Sequence, residues 1–262
     1  MYSLKDFFSV LNAYAPLTLS QKMIEKGCYD NSGILINCCE KVSGAVFSLD
    51  LSKEAVIKAE REKCNVIVTH HPAIYKPIST LSIQSPLEYP LMRCVGKGIT
   101  VISMHLNLDV ADGGIDHCLA ERLGAESYKI IDAISEKEGY GREFSVETTT
   151  LGQLTAKMKK YFSTTKILTY GKGEVHKIAS FCGAGGNEAL TAVKNGKTNA
   201  DLIVTSDLAH HEIKGLIDMG KKVMVLPHYV AEEYGFNRYY ERVKNQLNGQ
   251  IKTVYLDDKR YR

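Results

Sequence analysis

Short apolar segments alternate with amphipathic helical segments along most of this 262-residue chain. Residues 65–69 and 99–103 are two such apolar segments, and residues 50–62 show helical periodicity behind Ser52, a residue suited to cap a helix. Strands that are apolar throughout are buried on both faces, as in sheets that have helices on each side. The pattern therefore predicts an α/β fold with mixed or parallel sheets covered by helices.

A polar stretch that contains glycine interrupts this alternation at residues 135–142. Such a composition is typical of a linker or of a hairpin at the edge of a lobe. A smaller α/β pattern follows it, after which longer helical and strand segments return. We therefore predict two lobes, a main one formed by residues 1–126 and 222–262 and a smaller one formed by residues 127–221.

Charged residues are balanced and interspersed, with 33 Lys and Arg against 30 Asp and Glu. This pattern does not favour a nucleic-acid partner, and we interpret the basic residues 259–262 as a solvated terminus. No segment approaches the roughly 18 apolar residues of a membrane span, and Asp6 interrupts the stretch where a signal peptide would be apolar. The seven cysteines, an odd number without Cys-x-x-Cys spacing, agree with a cytoplasmic protein that has reduced thiols and no membrane partner.

Histidines are concentrated where predicted strands end. In an open α/β sheet the carboxyl ends of the strands form the edge that binds ligands, so residues that are distant in sequence can meet there. Two of the eight histidines, His117 and His176, fall outside this pattern. Those that follow it are His70, His71, His105, His210, His211 and His228.

Three of these histidines and two carboxylates form a candidate metal-binding set. His70 and His71 are adjacent, and because a proline follows them the strand can break and let both side chains reach a metal site. His228 and Glu232 are four residues apart at the start of a predicted helix, which places imidazole and carboxylate on one face. Asp109 adds a second carboxylate. This mixture suits Zn, Mn, Fe or Ni and does not favour Ca.

Each of these residues also has an ordinary structural interpretation. A single histidine is usually a surface or hydrogen-bonded residue, and histidine and glutamate at i,i+4 also occur on ordinary helices. Asp109 could serve as a turn or cap residue before Gly113 and Gly114. The joint position of the five residues after strands is what favours metal binding.

Four sequence blocks, in order along the chain, resemble those of a known protein family. They are Thr-His-His-Pro at residues 69–72, His-Leu-Asn-Leu-Asp-Val-Ala-Asp-Gly-Gly at residues 105–114, Thr-Ser-Asp-Leu-Ala-His-His at residues 205–211 and His-Tyr-Val-Ala-Glu at residues 228–232. Through these blocks the chain resembles the Nif-three-like family, whose members are also called GTP cyclohydrolase type-two homologues. The resemblance covers essentially the whole chain and corresponds to the compact form of the family, without a long inserted domain.

The resemblance implies a two-lobed fold with two divalent metal ions per subunit in the cleft between the lobes. It also implies a homohexamer, a toroid of trimers. The ligands that it implies are His71, Asp109 and Glu232 for one ion and His70, His228 and Glu232 for the other. Glu232 would bridge the two ions.

His105 and His211 match further histidines of the family, and we expect them beside the metals as catalytic residues that orient ligands or transfer protons. The alternative for each is a histidine that starts a helix or makes an ordinary hydrogen bond. The chain departs from the family at His210, which replaces an aromatic residue. This departure affects the expected substrate contacts and not the five ligands.

A pair of divalent ions that share a carboxylate and a water lowers the pKa of that water and polarises the bond under attack. Five side chains for two ions leave coordination positions for water and substrate, as in catalytic sites. We therefore expect a hydrolase of the GTP cyclohydrolase type-two homologue family that acts through a metal-bound hydroxide on a small, nucleotide-like substrate. The alternative is a binding protein that stores or delivers metal, or regulates a partner, without catalysis.

Residues 181–187, Phe-Cys-Gly-Ala-Gly-Gly-Asn, lie between a predicted strand and a predicted helix. Backbone N–H groups at a helix N-terminus can bind phosphate, but this segment is neither a Walker loop nor a full dinucleotide motif. A tight turn from strand to helix is the alternative interpretation.

Overall fold

The structure is a computed structural model that describes residues 2–86 and 88–261. The chain forms two compact units. Unit 1 contains the N-terminal residues up to Ala111 together with Phe236–Asp258, and unit 2 contains Asp112–Gly235 and the residues from Lys259 onward. Arg262, at the end of the basic C-terminal stretch, lies outside the described residues.

Helices and strands alternate through most of the chain, which confirms the predicted α/β class. Within the described ranges, no helix has both the length and the apolar character that crossing a bilayer requires. The elements, in chain order, are α1 (Leu4–Tyr14), α2 (Leu17–Glu25), β1 (Gly33–Ile36), β2 (Gly44–Ser48), α3 (Lys53–Glu62), β3 (Val66–Thr69), α4 (Tyr89–Gly96), β4 (Thr100–Ser103), α5 (Leu106–Val110), α6 (Ile115–Leu123), β5 (Lys129–Ala133), β6 (Gly139–Thr150), α7 (Leu151–Tyr161), β7 (Leu168–Tyr170), β8 (Glu174–Ser180), α8 (Gly186–Lys194), β9 (Leu202–Thr205), α9 (His210–Asp218), β10 (Lys222–Val225), α10 (His228–Leu247) and β11 (Lys252–Tyr255).

Unit 1 is built on a five-stranded sheet with the order β1-β4-β3-β2-β11. Strands β4, β3, β2 and β11 are parallel, and β1 pairs antiparallel with β4. Val46 on β2 lies in a buried cluster with Val56 and Ala59 of α3. The next residue, Phe47, points to the opposite face, where its ring centroid is 5.2 Å from that of Tyr240 on α10. Helices therefore cover both faces, which explains why β2, β3 and β4 are buried at every position.

Unit 2 contains a six-stranded sheet with the order β5-β6-β8-β9-β10-β7. Strands β8, β9 and β10 are parallel, whereas β5, β6 and β7 pair antiparallel with their neighbours. Ala179, Ile203 and Val223 from the parallel strands pack with Ala189 of α8 and Leu216 of α9. Both sheets are thus mixed and covered by helices, as the sequence predicts.

The polar stretch at residues 135–142 includes the turn of the hairpin that joins β5 to β6. Ala133 lies opposite Gly139, and Asp132 lies opposite Tyr140. Residue 139 must be glycine, because its φ is +149° and a Cβ atom would lie 2.5 Å from the carbonyl oxygen of Asp132. Of the two interpretations of this stretch, the hairpin is the one that the structure shows.

Candidate metal centre

His70 and His71 follow β3 at the point where the regular strand ends. Their backbone N–H groups both donate to the carbonyl oxygen of Leu49, at 3.1 and 3.0 Å. Consecutive residues in a regular strand point to opposite faces, and two that share one acceptor have left that geometry. The two imidazole rings consequently lie close together, with centroids 4.8 Å apart.

The segment that follows the neighbouring strand, β4, contains two further candidate residues in the same unit. His105 precedes the short helix α5, and Asp109 follows one turn later, its N–H donating to the His105 carbonyl oxygen at 2.9 Å. His70, His105 and Asp109 each offer one ligand atom, and these atoms lie within 4.8 Å of one another. Because His70 is completely buried and Asp109 is 5% exposed, this donor group is largely shielded from water.

Hydrogen bonds determine which ring nitrogen of His70 and of His71 can bind a metal. His70 Nδ1 lies 2.8 Å from the carbonyl oxygen of Met104. Since a carbonyl oxygen only accepts, the geometry assigns the proton to Nδ1 and the lone pair to Nε2. His71 Nδ1 lies 2.8 Å from Asp50 Oδ1, and an ionised carboxylate imposes the same tautomer.

A buried carboxylate holds His105 in the same way. Its Nδ1 lies 2.7 Å from Oδ1 of Asp30, whose side chain is completely buried. Burial raises the pKa of the Asp30 carboxyl, but hydrogen bonds from His105 and two serine hydroxyls outweigh this effect and hold the pKa below its usual value. Asp30 is therefore ionised at neutral pH and directs the Nε2 lone pair of His105 away from itself.

Unit 2 contains His228 and Glu232, on the first turns of α10. Their four-residue spacing brings His228 Nε2 to 3.0 Å from Glu232 Oε1. On the other side of the ring, Nδ1 lies 2.6 Å from Asp207 Oδ2. Glu232 is 2% exposed, so its carboxyl group is buried.

Each unit thus has an imidazole that directs its Nε2 lone pair toward a carboxylate. The distances are 3.5 Å from His70 Nε2 to Asp109 Oδ1 and 3.0 Å from His228 Nε2 to Glu232 Oε1. Two groups that only accept hydrogen bonds are stabilised at such distances when a proton or a cation lies between them. Neutral imidazole and ionised carboxylate are also ligands that Zn, Mn, Fe and Ni accept. The donor groups therefore fit divalent ions of this kind.

His211 lies on the first turn of α9, and its side chain is exposed. Neither His211 nor its neighbour His210 belongs to the hydrogen-bonded donor groups described above. The assignment of His211 as a catalytic residue stays a prediction.

The loop at residues 181–187 is a tight turn that Thr205 holds in place. The Thr205 hydroxyl donates to the Gly183 carbonyl oxygen at 3.1 Å and accepts from the Gly185 N–H at 3.1 Å. Gly183 has a φ of +61°, and a Cβ atom there would lie 2.8 Å from Glu232 Oε1. Glycine at this position allows the loop to pass close to the Glu232 carboxylate.

Acidic side chains lie at the start of α8, directly after this turn. A Cβ atom at Gly186 would lie 2.5 Å from Glu212 Oε2. Burial raises the pKa of the Glu188 carboxyl, and the nearby charge of Glu212 adds to the effect. Carboxylates at this position repel a phosphate, and the Gly185 N–H is already bonded to Thr205. The geometry favours the tight-turn interpretation over a phosphate site.

Replacing Gly185 with alanine is expected to destabilise unit 2 by about 1–2 kcal/mol. The new Cβ atom would lie 2.5 Å from Phe181 Cβ and 2.7 Å from Tyr140 Oη, so the turn would have to shift. Gly152→Ala on α7 is the matched control for thermal unfolding, because nothing lies within 4 Å of its Cβ position and alanine favours the helix. Equal melting temperatures for the two variants would contradict the close packing of the turn.

The carboxylates that orient the histidines were not found from the sequence. Asp50 follows the carboxyl end of β2, and Asp207 lies within the block at residues 205–211. The rule that located histidines at strand ends applies to both and could have identified them. Asp30 lies in an irregular segment between α2 and β1, where no periodicity marks it.

The chain is a mixed α/β protein, with two mixed sheets that are covered by helices. Histidines and carboxylates that follow the strands form groups that could hold a metal ion. The sequence model of the family described as Duf34/NIF3 (NGG1p interacting factor 3) matches residues 2–260. The chain belongs to this family, which confirms the resemblance carried by the four sequence blocks.

Relatives and solved structures agree with this membership. The chain is 27% identical over 233 residues to the GTP cyclohydrolase 1 type 2 homolog of Clostridium acetobutylicum, across 87% of this chain and 84% of the relative. It is 28% identical over 240 residues to NGG1-interacting factor 3 of Saccharomyces cerevisiae, across 81% of each. The crystal structure of a Bacillus cereus protein related to NIF3 matches 98% of this chain and 97% of that one, with a TM-score of 0.87 and 17% identity. The last comparison confirms the fold.

Proposed function

We propose that this protein is a dinuclear metal-dependent hydrolase that acts on a small, nucleotide-like substrate. The orientation of the imidazoles supports it most directly. In His70, His71 and His228 an oxygen atom accepts from Nδ1, which makes Nε2 the nitrogen that can bind a metal. Relatives named GTP cyclohydrolase 1 type 2 homolog support the same substrate class.

The proposed ligands of two divalent ions are the five residues that the family resemblance implies. His71, Asp109 and Glu232 would bind one ion, and His70, His228 and Glu232 would bind the other. Glu232 would be shared by both ions. Zn, Mn, Fe or Ni suits this mixture of imidazole and carboxylate.

Two divalent ions at these residues would activate water and polarise the substrate for hydrolysis. The Met104 carbonyl and the carboxylates of Asp50 and Asp207 keep their histidines in the tautomer that binds metal through Nε2. His105, held by Asp30, can accept a proton at Nε2 and return it to a leaving group.

Metal analysis of anaerobically purified protein, followed by a screen of nucleotides and phosphoesters with added Mn, Fe or Zn, tests this proposal. Hydrolysis that rises in proportion to metal occupancy is the expected result. Tight binding of two ions without turnover would replace the enzyme by a protein that stores or delivers metal. A sample that stays free of metal under all these conditions would contradict both functions.

Replacing Asp207 with alanine is expected to weaken metal binding about 10–100-fold, because His228 would lose the group that fixes its tautomer. Asp207→Asn keeps an acceptor for the Nδ1 proton and should lose less. Titration against a chromophoric chelator measures the affinity. Asp218→Ala is the control, since this exposed carboxylate pairs with Lys214 on the same helix, α9. Unchanged affinity in the Asp207→Ala variant would contradict the orienting role.

We also propose that the protein is cytoplasmic and assembles as a homohexamer, a toroid of trimers. Its partner would be a small-molecule substrate, and it would not bind a membrane. Membership in the family supports this proposal. Light scattering of the metal-loaded protein should give six times the mass of the chain, and a mass that stays at one chain would contradict it.

A further inference from the structure

Two tyrosines of unit 1 expose much of their side chains to solvent. Tyr29 is 51% exposed and Tyr75 is 43% exposed. Their rings form an edge-to-face pair, with centroids 4.9 Å apart and an interplanar angle of 80°. This geometry is favourable for aromatic rings, so the pair stabilises its own arrangement without being buried.

Hydrogen bonds join the two segments that contain these rings. The Tyr75 hydroxyl donates to the carbonyl oxygen of Tyr29 at 3.4 Å. The side-chain amide of Asn31 donates to the carbonyl oxygen of Ile74 at 2.6 Å. Residues 29–31 therefore hold residues 74 and 75 in position. These hydrogen bonds fix the orientation of the two exposed rings.

The tyrosine pair adjoins the histidines of the candidate metal centre. The ring centroid of Tyr75 lies 6.1 Å from that of His105, and the planes are nearly perpendicular at 83°. His105 lies in turn 5.2 Å from His70 by the same measure. Asp30, which holds His105 Nδ1, directly follows Tyr29 in the chain. Residues 29–31 therefore position both the exposed tyrosine rings and the imidazole of His105.

We propose that Tyr75, positioned by its edge-to-face contact with Tyr29, stacks on a planar heteroaromatic ring of the substrate. The inference rests on the proposed function and adds the recognition of the ring to it. Exposed aromatic side chains bind nucleobases by stacking, which requires only a flat π-surface on the ligand. The contact between Tyr75 and His105 would place the rest of the ligand beside the histidines.

The loop after Tyr75 exposes three further apolar side chains, Ile78, Leu81 and Ile83. These residues would suit an interface between copies of the chain, and Tyr75 could then be part of that interface. The tyrosines differ from them, because Tyr75 donates a hydrogen bond to the Tyr29 carbonyl oxygen and its ring centroid lies 6.1 Å from that of His105. This difference favours the substrate as the occupant of the tyrosine pair.

Because the chain contains no tryptophan, a Tyr75→Trp variant carries a single indole fluorophore at the proposed site. Its emission is expected to fall in a saturable way on addition of guanosine 5′-monophosphate to the metal-loaded protein. Ribose 5-phosphate, which has the same sugar phosphate without the base, should have no such effect. Tyr161→Trp, at a residue that is 50% exposed at the end of α7 in unit 2, controls for quenching that is not specific.

Calorimetry of variants without an introduced fluorophore tests the same contact independently. Tyr75→Ala is expected to weaken binding of guanosine 5′-monophosphate about tenfold, the size of one lost stacking contact. Tyr75→Phe keeps the ring and should stay within about twofold of the parent protein. Affinity for ribose 5-phosphate and the metal content should be equal in all three proteins.

Three results would overturn the inference. One is the absence of saturable quenching in the Tyr75→Trp variant, or quenching of equal size in the Tyr161→Trp control. Another is an equal loss of affinity for ribose 5-phosphate in Tyr75→Ala, which would indicate a general disturbance. The third is indole emission of the Tyr75→Trp variant that depends on protein concentration and not on nucleotide, which would assign the surface to a second copy. Failure of the metal proposal would appear separately, as protein without bound metal.

Discussion

Replacing Asp116 with alanine is expected to lower the free energy of unfolding of unit 2 by about 3–5 kcal/mol. Asp116 Oδ2 lies 2.8 Å from Arg142 Nη1, and both side chains are completely buried. The same Nη1 also donates to the carbonyl oxygens of Gly139 and Gly141. Those two dipoles cannot replace a full negative charge, so the variant would keep an uncompensated guanidinium in the interior.

Differential scanning calorimetry of the two proteins measures this loss as a shift of the unfolding transition. Asp218→Ala is the matched control, because it removes an aspartate from an exposed pair with Lys214 on α9. Water screens that pair, and its loss should change stability by less than about 1 kcal/mol. A similarly small change for Asp116→Ala would show that the interior tolerates the lone charge, contrary to the prediction.

The Asp116 carboxylate also connects the core of unit 2 to the turn beside Glu232. Its Oδ1 accepts from the Cys182 N–H at 3.0 Å. The following residue, Gly183, is the one whose missing side chain allows the close approach to Glu232. The buried pair therefore supports the backbone against which a proposed metal ligand packs.

Strand ends are the part of the candidate site that the sequence could predict. An apolar strand that ends in histidine identifies both the element and the edge at which the side chain emerges, so His70, His71 and His105 could be located without coordinates. The same applies to His228 and Glu232, because the helix that separates them by four residues begins at His228. In each case a local pattern fixes the position.

Partners that are joined only by the tertiary fold could not be predicted in this way. Arg142 and Asp116 are 26 residues apart, and nothing in either segment marks them as a pair. Strand β6 also has a weak signal in the sequence, because its second half is largely exposed and lacks the continuous apolar run of the buried strands. Asp30 reaches His105 from an irregular segment. Long-range pairing and irregular backbone carry no periodic signal.

Replacing Glu232 with glutamine is expected to weaken metal binding more than about 100-fold. Loss of a carboxylate that only orients a metal ligand costs about 10–100-fold in affinity, and Glu232 is itself a proposed bridging ligand. Glutamine has nearly the same size and can fit beside Gly183. It lacks the negative charge, and its NH₂ group donates and cannot bind a cation. Hydrolysis that depends on added metal should be lost in parallel.

Thermal unfolding with and without added Zn provides a measurement that does not depend on knowing the substrate. A cation that binds only the folded protein raises its melting temperature, and we expect that rise in the parent protein and not in Glu232→Gln. Glu241→Gln, the same substitution at a carboxylate of α10 that is 47% exposed, should keep the full rise. The buried Glu232 carboxylate lies 3.0 Å from His228 Nε2, so an equal Zn-dependent rise in all three proteins would place the metal away from this pair and contradict the assigned ligand set.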